Sequence, residues 1–510
     1  MTGGPGSIQW REWSPETFAS AADERKPVLL AIGPAWCLGT DEMHRVSYTD
    51  PNVARVVAER FVPIRVDPDR RPDIGERYTL NGWPTTAFLT PTGALLGGGG
   101  HLDPARLLIV LKQVFEAFVA LGEECASGEN SPVDADPRDD APSGHSAAQL
   151  AAAPLDSEEA GLWLDEQLRA QFDPVWAGFG SGPKRAHTAA LHAALLRGRR
   201  VTSASLADNV TRTLDAITDG GLVDAIEGGF FRYCEEPDWS RPHVEKLLTL
   251  NARVVGLLLT ASRVLDRPLY AERAAATIRF VHDRFADADG GFFASQRADP
   301  EYSALTSVEE RGRHGEPPVD RNIYVDATAT MASAYVLGAT VLADRSLLEF
   351  AATAVDRVVM ETYERGGGVG HTLNGPPVRG LLGDHVSASA ALLDLYEACG
   401  QAVYLDMPQE LMAYCRQEMW DEGAGFRDRI RGGPAQPPPI GLLREPHRPF
   451  QLNCDAAVVL GRLAALTEEE DYHADALRVL ASQRSVYQSH GLDGAGYVLA
   501  LEQLQALATA

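Results

Sequence analysis

Apolar residues in this chain fall into two kinds of pattern, and the change from one to the other divides it. From Lys26 the run KPVLLAIG is nearly all apolar and ends at a Pro-containing turn, the signature of a short strand buried on both faces of a sheet. A helical pattern over Val53 to Glu59 precedes FVPIRVD, a second buried strand. TTAFLTPTGALLG then reads as two strands joined by a Pro-Thr-Gly turn, and Pro104 to Leu121 supply a closing amphipathic helix. This order predicts a small α/β domain over residues 1–125.

Beyond it the apolar period becomes helical almost everywhere. In EKLLTLNARVVGLLLTASRVL, Leu247, Leu250, Val254, Leu258, Ala261 and Leu265 form one stripe at three- and four-residue steps. The unit repeats: a helix, a short polar turn, a second helix, then a glycine-rich break. The breaks stand at Gly178, Gly228, Gly290, Gly366, Gly423 and Gly494. Glycine closes a helix in left-handed conformation, and the aromatic beside several of these breaks can turn between neighbouring hairpins. Six helical hairpins predict an all-α (α/α)6 toroid over residues 148–510, with an open solenoid as the alternative. Between the two parts, residues 126–147 hold Pro, Gly, Ser and Asp with almost no large apolar side chain, the composition of an acidic linker.

Charge narrows the partners. With 71 acidic residues against 46 basic, the formal charge is -25, which opposes binding to nucleic acid or anionic membranes. The N-terminal residues carry no basic stretch followed by an apolar one, so a cytoplasmic location is expected. Cys37, Cys125, Cys234, Cys399, Cys415 and Cys454 form no CxxC pair and no zinc-type spacing, so neither a disulfide framework nor a metal or other cofactor is expected.

Several long blocks carry a likeness. KPVLLAIGPAWC, ERFVPIRVDPDRRPDI and GWPTTAFLTPTG, followed by GFGSGPK, DGGLVDAIEGGFFRY and PHVEKLL, resemble the spermatogenesis-associated family of thioredoxin-domain proteins in the family's order and over nearly the whole chain. The resemblance implies a thioredoxin fold, with Trp83-Pro84-Thr85 like the loop that carries its cis-proline, followed by a six-hairpin toroid of the architecture also used by glycosidases and sugar epimerases and isomerases. Two positions depart from the family: its SQDAD pattern stands here as Ser295-Gln296-Arg297-Ala298-Asp299, and Leu250 replaces an Asp before Asn251.

A thioredoxin-type oxidoreductase needs two thiols three positions apart, one to attack and one to resolve. Cys37 is followed at the second position by Thr40, so the redox site is degenerate, with Cys37 left as a lone thiol and Pro84 as a loop-shaping residue. In the toroid, the stretch Asp219 to Asn251 is densest in polar groups. Pro242 favours a helix start there, which would bring His243 and Glu245 together. Isomerisation needs a base and an acid across a carbon alpha to a carbonyl, for which His243 and His385 are candidates with Glu245 and Asp384 as orienting partners. Hydrolysis of a glycoside needs two carboxylates, for which Asp224 and Glu245 are candidates. Glu227, Phe230, Arg232, Tyr233, Trp239, Lys246 and Asn251 would line the substrate, the aromatics by stacking on sugar rings. Against these roles stand structural ones: Asp224 as a turn cap, Arg232 with Glu245 as an ion pair, and Asp326 and Asn453 as helix caps. EERGRHGE from Glu309 reads as a solvated loop. The function expected is a carbohydrate-active or carbohydrate-binding toroid, isomerase- or epimerase-like, with a non-redox accessory domain. The alternatives are a non-catalytic scaffold and a single-cysteine oxidoreductase.

Overall fold

A computed structural model describes residues 7–127, 155–198, 204–432 and 438–508. The expected linker, residues 126–147, lies outside them except for Ala126 and Ser127, which end a helix. The chain forms two compact units, one of Met1–Asp140 with Arg431–Pro446, the other of Ala141–Ile430 with His447–Ala510.

In the first unit, β1 (Val28–Ile32), β2 (Val62–Val66), β3 (Thr85–Leu89) and β4 (Leu95–Gly99) form one sheet in the order β2-β1-β3-β4. β1 runs parallel to β2 and antiparallel to β3, and β4 returns antiparallel to β3. Because side chains alternate along a strand, Leu29 and Ala31 pack with Val53, Val57, Leu107 and Leu111 on one face. Val28, Leu30 and Ile32 pack with Phe18, Ile74 and Tyr78 on the other. Burial on both faces is why β1 is apolar throughout. The helix Pro51–Arg60 starts where Asp50 accepts from the amides of Asn52 and Val53, with Pro51 supplying a preset backbone angle. The Trp83–Pro84 peptide is cis, and the fold is thioredoxin-like.

The sequence placed residues 431–446 in the toroid, but the structure makes them part of the first unit. Leu443 is buried in the second of the two cores, with Ile440 and Leu442 packed on it. The Tyr78 hydroxyl accepts from the Leu442 amide at 2.8 Å and donates to the Gly93 carbonyl at 2.7 Å, while Arg77 donates to the carbonyls of Leu442 and Glu445.

The second unit is the six-hairpin toroid. Its inner helices are Thr188–Gly198, Leu248–Leu265, Val325–Val341, Leu382–Cys399, Phe450–Thr467 and Ala495–Leu507, and each packs on the next until the last meets the first. The ring is closed, which excludes an open solenoid. Leu248–Leu265 alone among the described helices has the length and apolar composition of a membrane span, and it is a member of this ring. The first outer helix, Ser157–Gln171, packs against the last inner helix, so the two ends of the repeat complete one another. Five of the glycine breaks contain glycines of positive φ. The sixth does not: Gly494 is helical, and glycine is needed there because a Cβ would overlap the Tyr487 carbonyl.

Candidate functional site

The glycine turns are built on one repeated device. Asp173, Asp224, Asp287 and Glu364 each open a turn, donating their amide to a carbonyl on its far side. Each carboxylate then holds a cation that also donates to a turn carbonyl. Lys184 lies 2.8 Å from Asp173 and bonds Gly180; Lys246 lies 2.7 Å from Asp224 and bonds Gly228. Arg357 holds Asp287 and Gly290, and Arg379 holds Glu364 and Gly368.

Asp224 is therefore placed as one copy of a repeated clamp, its carboxylate engaged by cations in a turn. Its Oδ2 also accepts from Arg311 at 2.7 Å, its Oδ1 caps Ile226, and both cations hold its carboxyl below the ordinary range against the effect of burial. Lys246 and Glu227 are consumed in the same network. Lys246 is buried with its ammonium 3.9 Å from the Phe280 ring centre, and Glu227 accepts from Tyr302 and Arg284. Arg311 belongs to the EERGRHGE stretch, which is a helix, Val308–His314, rather than a solvated loop.

A second device repeats at the fourth residue of inner helices. Asn251 Oδ1 accepts from the Phe230 amide at 2.7 Å while its Nδ2 donates to the carbonyls of Phe230 and Leu247. Asn453 treats Phe426 and Pro449 in the same way. His385 is the third copy: Nε2 accepts from the Val369 amide at 3.2 Å and Nδ1 donates to Leu381 O at 2.7 Å. It is fully buried, burial pushes its imidazole down to about 4, and both nitrogens are engaged in pinning a turn. Asp384 does not orient it. Its Oδ1 accepts from His371 Nδ1 at 2.8 Å, and burial pushes its carboxyl up to about 6.

His243 and Glu245 do lie together, for a different reason from the one expected. The helix begins at Leu248, and Pro242–His243 is a strand paired with Tyr233–Cys234. Residues two apart in extended chain share a face, which sets His243 Nδ1 3.9 Å from Glu245 Oε1. His243 stacks on Tyr233 and lies 2.9 Å from Glu235, while Glu245 is buried and accepts from Arg232 at 3.1 Å. Phe230 and Trp239 are core residues, the Trp239 indole donating to the Trp176 carbonyl, so neither offers a sugar-stacking face.

Of the candidate site residues named from sequence, Arg232 lines the central hollow, a cavity of about 1040 Å³ inside the ring of inner helices, and Leu250, which stands where the family has an Asp, lines it too. The hollow keeps titratable groups that sequence reading missed. Arg253 and Asp455 face it, as do His187, His192 and His490, the last stacked on Phe450 at 4.3 Å. Burial raises the Asp455 carboxyl, offset by Arg253 and by the hydrogen bond from Gln451. Burial lowers His187 and His490, and pushes His192 down to about 4. A signal for two of them was present: Arg253 and Asp455 each stand two residues after a turn-pinning asparagine, as charged residues near the starts of largely apolar helices.

In the first unit, Cys37 precedes the short helix Leu38–Glu42 and is buried, with Sγ 3.9 Å from the Trp83 carbonyl. Thr40 is buried at the position of the second thiol, packed where any side chain on Gly33 would overlap it. Cys234, Cys415 and Cys454 are free and buried in the helical unit.

A family profile described as "Protein of unknown function, DUF255" matches residues 5–126. Spermatogenesis-associated protein 20 of Homo sapiens is 25% identical over 329 residues, 60% of this chain and 40% of that protein, so the chain spans about two fifths of such a relative's length. Among solved structures, a D-mannose isomerase superposes with a TM-score of 0.53 at 11% identity, over 70% of this chain and 100% of its own. Cellobiose 2-epimerase from Spirochaeta thermophila does so with a TM-score of 0.51 at 16% identity, over 70% and 99%. At these identities the likeness is one of fold. The matched first unit, the aligned relative and the closed ring of hairpins agree in making the chain similar to the spermatogenesis-associated proteins with a thioredoxin-like domain.

Proposed function

We propose that the helical unit takes a sugar-like polyhydroxylated molecule into its central hollow and acts on it as an isomerase or epimerase. Asp455 serves as acid and a hollow-facing histidine, His187 or His490, as base, with the thioredoxin-like unit as a non-redox accessory. The observation that carries this reading is that a hollow of about 1040 Å³ stays unfilled and keeps charged and titratable side chains inside an apolar ring. Its size is at the upper end for small-molecule sites, and Phe450 offers an aromatic face for a sugar ring. A carboxyl raised by burial suits proton donation to a carbonyl oxygen, and an imidazole lowered by burial is neutral and able to accept the proton alpha to it. Arg253 and Arg232 supply positive charge for the oxyanion that develops.

The test is solvent deuterium exchange followed by NMR on reducing sugars, D-mannose and cellobiose among them. Exchange lost in Asp455→Asn and kept in His243→Ala supports the assignment. Binding without exchange assigns the unit to the binding-protein alternative, and neither binding nor exchange across the panel overturns the proposal.

A further inference from the structure

Among the described residues, Asp384 departs from the pairing with lysine or arginine that several other buried carboxylates show. Asp165 and Glu502 share Arg197, Asp475 has Arg416 and Arg478, and Asp224 has Lys246 and Arg311. Asp384, 1% exposed, has no Lys or Arg among its ion pairs; it has His371 on one side and a second carboxylate, Asp326, nearby. One ligand atom from each of Asp326, His371 and Asp384 lies within 4.8 Å of the others. The Oδ2 atom of Asp384 is buried with no hydrogen-bond partner. A buried carboxylate oxygen left unmatched beside a second acid is costly, and a cation offsets both charges at once.

We propose that Asp326, His371 and Asp384 bind one divalent cation of the zinc class. Two carboxylates and one imidazole form a borderline-hard donor set suited to such an ion, and too few oxygens for calcium. The His371 Nδ1 to Asp384 Oδ1 separation of 2.8 Å has to open only slightly to reach the ligand–ligand spacing of about 3.3 Å implied by zinc bonds of ~2.0–2.1 Å. The ligands are held by rigid elements. Asp326 and Asp384 stand in the first turns of adjacent inner helices, and the loop carrying His371 is fixed by the Val325 amide donating to its carbonyl at 2.9 Å. The ion would staple two neighbouring hairpins of the ring, outside the hollow assigned to substrate.

Full-length, tag-free protein stripped with chelator and titrated with Co2+ reads this directly. One Co2+ per chain is expected, with visible d–d bands, no thiolate charge-transfer band, displacement by Zn2+ and a raised melting temperature. Asp326→Asn, at a half-buried position, should fold and bind at least about tenfold more weakly, and His371→Gln likewise. Absence of saturable binding by the wild type overturns the proposal. So does unchanged stoichiometry and affinity in folded Asp326→Asn, even if His371→Gln fails to fold.

Discussion

Replacing Asp224 by Asn is the sharpest test of the clamp, because the two side chains are nearly isosteric and only the charge is lost. Asp224 Oδ2 holds two buried cations, Lys246 and Arg311, each at 2.7 Å. Removing one partner from a buried ion pair costs about 3–5 kcal/mol, since it strands the opposite charge away from water. The helical unit has roughly 350 residues, which at about 2.1 cal/mol/K per residue gives an unfolding entropy near 0.7 kcal/mol/K. A loss of about 4 kcal/mol then lowers the melting temperature by about 5–6 °C, measurable by calorimetry. Adding Lys246→Met should recover part of the loss, because it removes one stranded charge. The Asp224 carboxyl is held low in the folded chain, so its contribution is present above the ordinary carboxylate range and lost as pH falls through the folded value. A variant that melts within 1 °C of wild type yet loses sugar turnover would refute the structural assignment and restore Asp224 as a catalytic group.

His192, held near 4 in the folded chain against an ordinary 6.5, remains neutral where the unfolded chain takes a proton; stability of the helical unit should therefore rise with pH between about 4 and 6.5. The side chain faces the hollow, so solvent keeps the slope below the full ~1.4 kcal/mol per pH unit, and His192→Gln should flatten it in urea titrations at several pH values. Gly441, at φ +58°, stands where a Cβ would overlap the Tyr78 hydroxyl and the Gly93 carbonyl. Gly441→Ala should therefore cost about 2 kcal/mol or more in the first unit. After cleavage at a protease site engineered into residues 126–147, the wild-type fragments should co-elute through the 431–446 segment, and the variant's should separate. Cys37 has no resolving thiol at Thr40, so the purified protein should not reduce insulin disulfides, and Cys37→Ser should leave turbidity traces unchanged.

Local pattern was enough for the elements of both units. The all-apolar β1, the helical stripes and the six glycine breaks are properties of neighbours in sequence, and they led to a small α/β domain and a six-hairpin toroid, while the thioredoxin-like character of the sheet rested on the family resemblance. Thr40 in place of a second thiol was likewise legible, because the chemistry needs two sulfurs at fixed spacing. The site was not, because polar density in sequence does not distinguish a clamp from a catalytic group. Asp219 to Asn251 is rich in charge because its turn is held by ion pairs reaching Arg284 and Arg311, residues far along the chain. Glu245 and His243 do lie together, but where one short strand gives way to the next rather than at a helix start, since the helix begins only at Leu248. Closure of the ring decided the rest: which helix face looks inward is set by packing on both neighbours, and only then do Arg253, Asp455 and the hollow-facing histidines converge. The excursion of residues 431–446 into the first unit is also a tertiary fact, fixed by the fit of Leu443 and Gly441 against Tyr78 and Gly93 rather than by anything in their own short stretch.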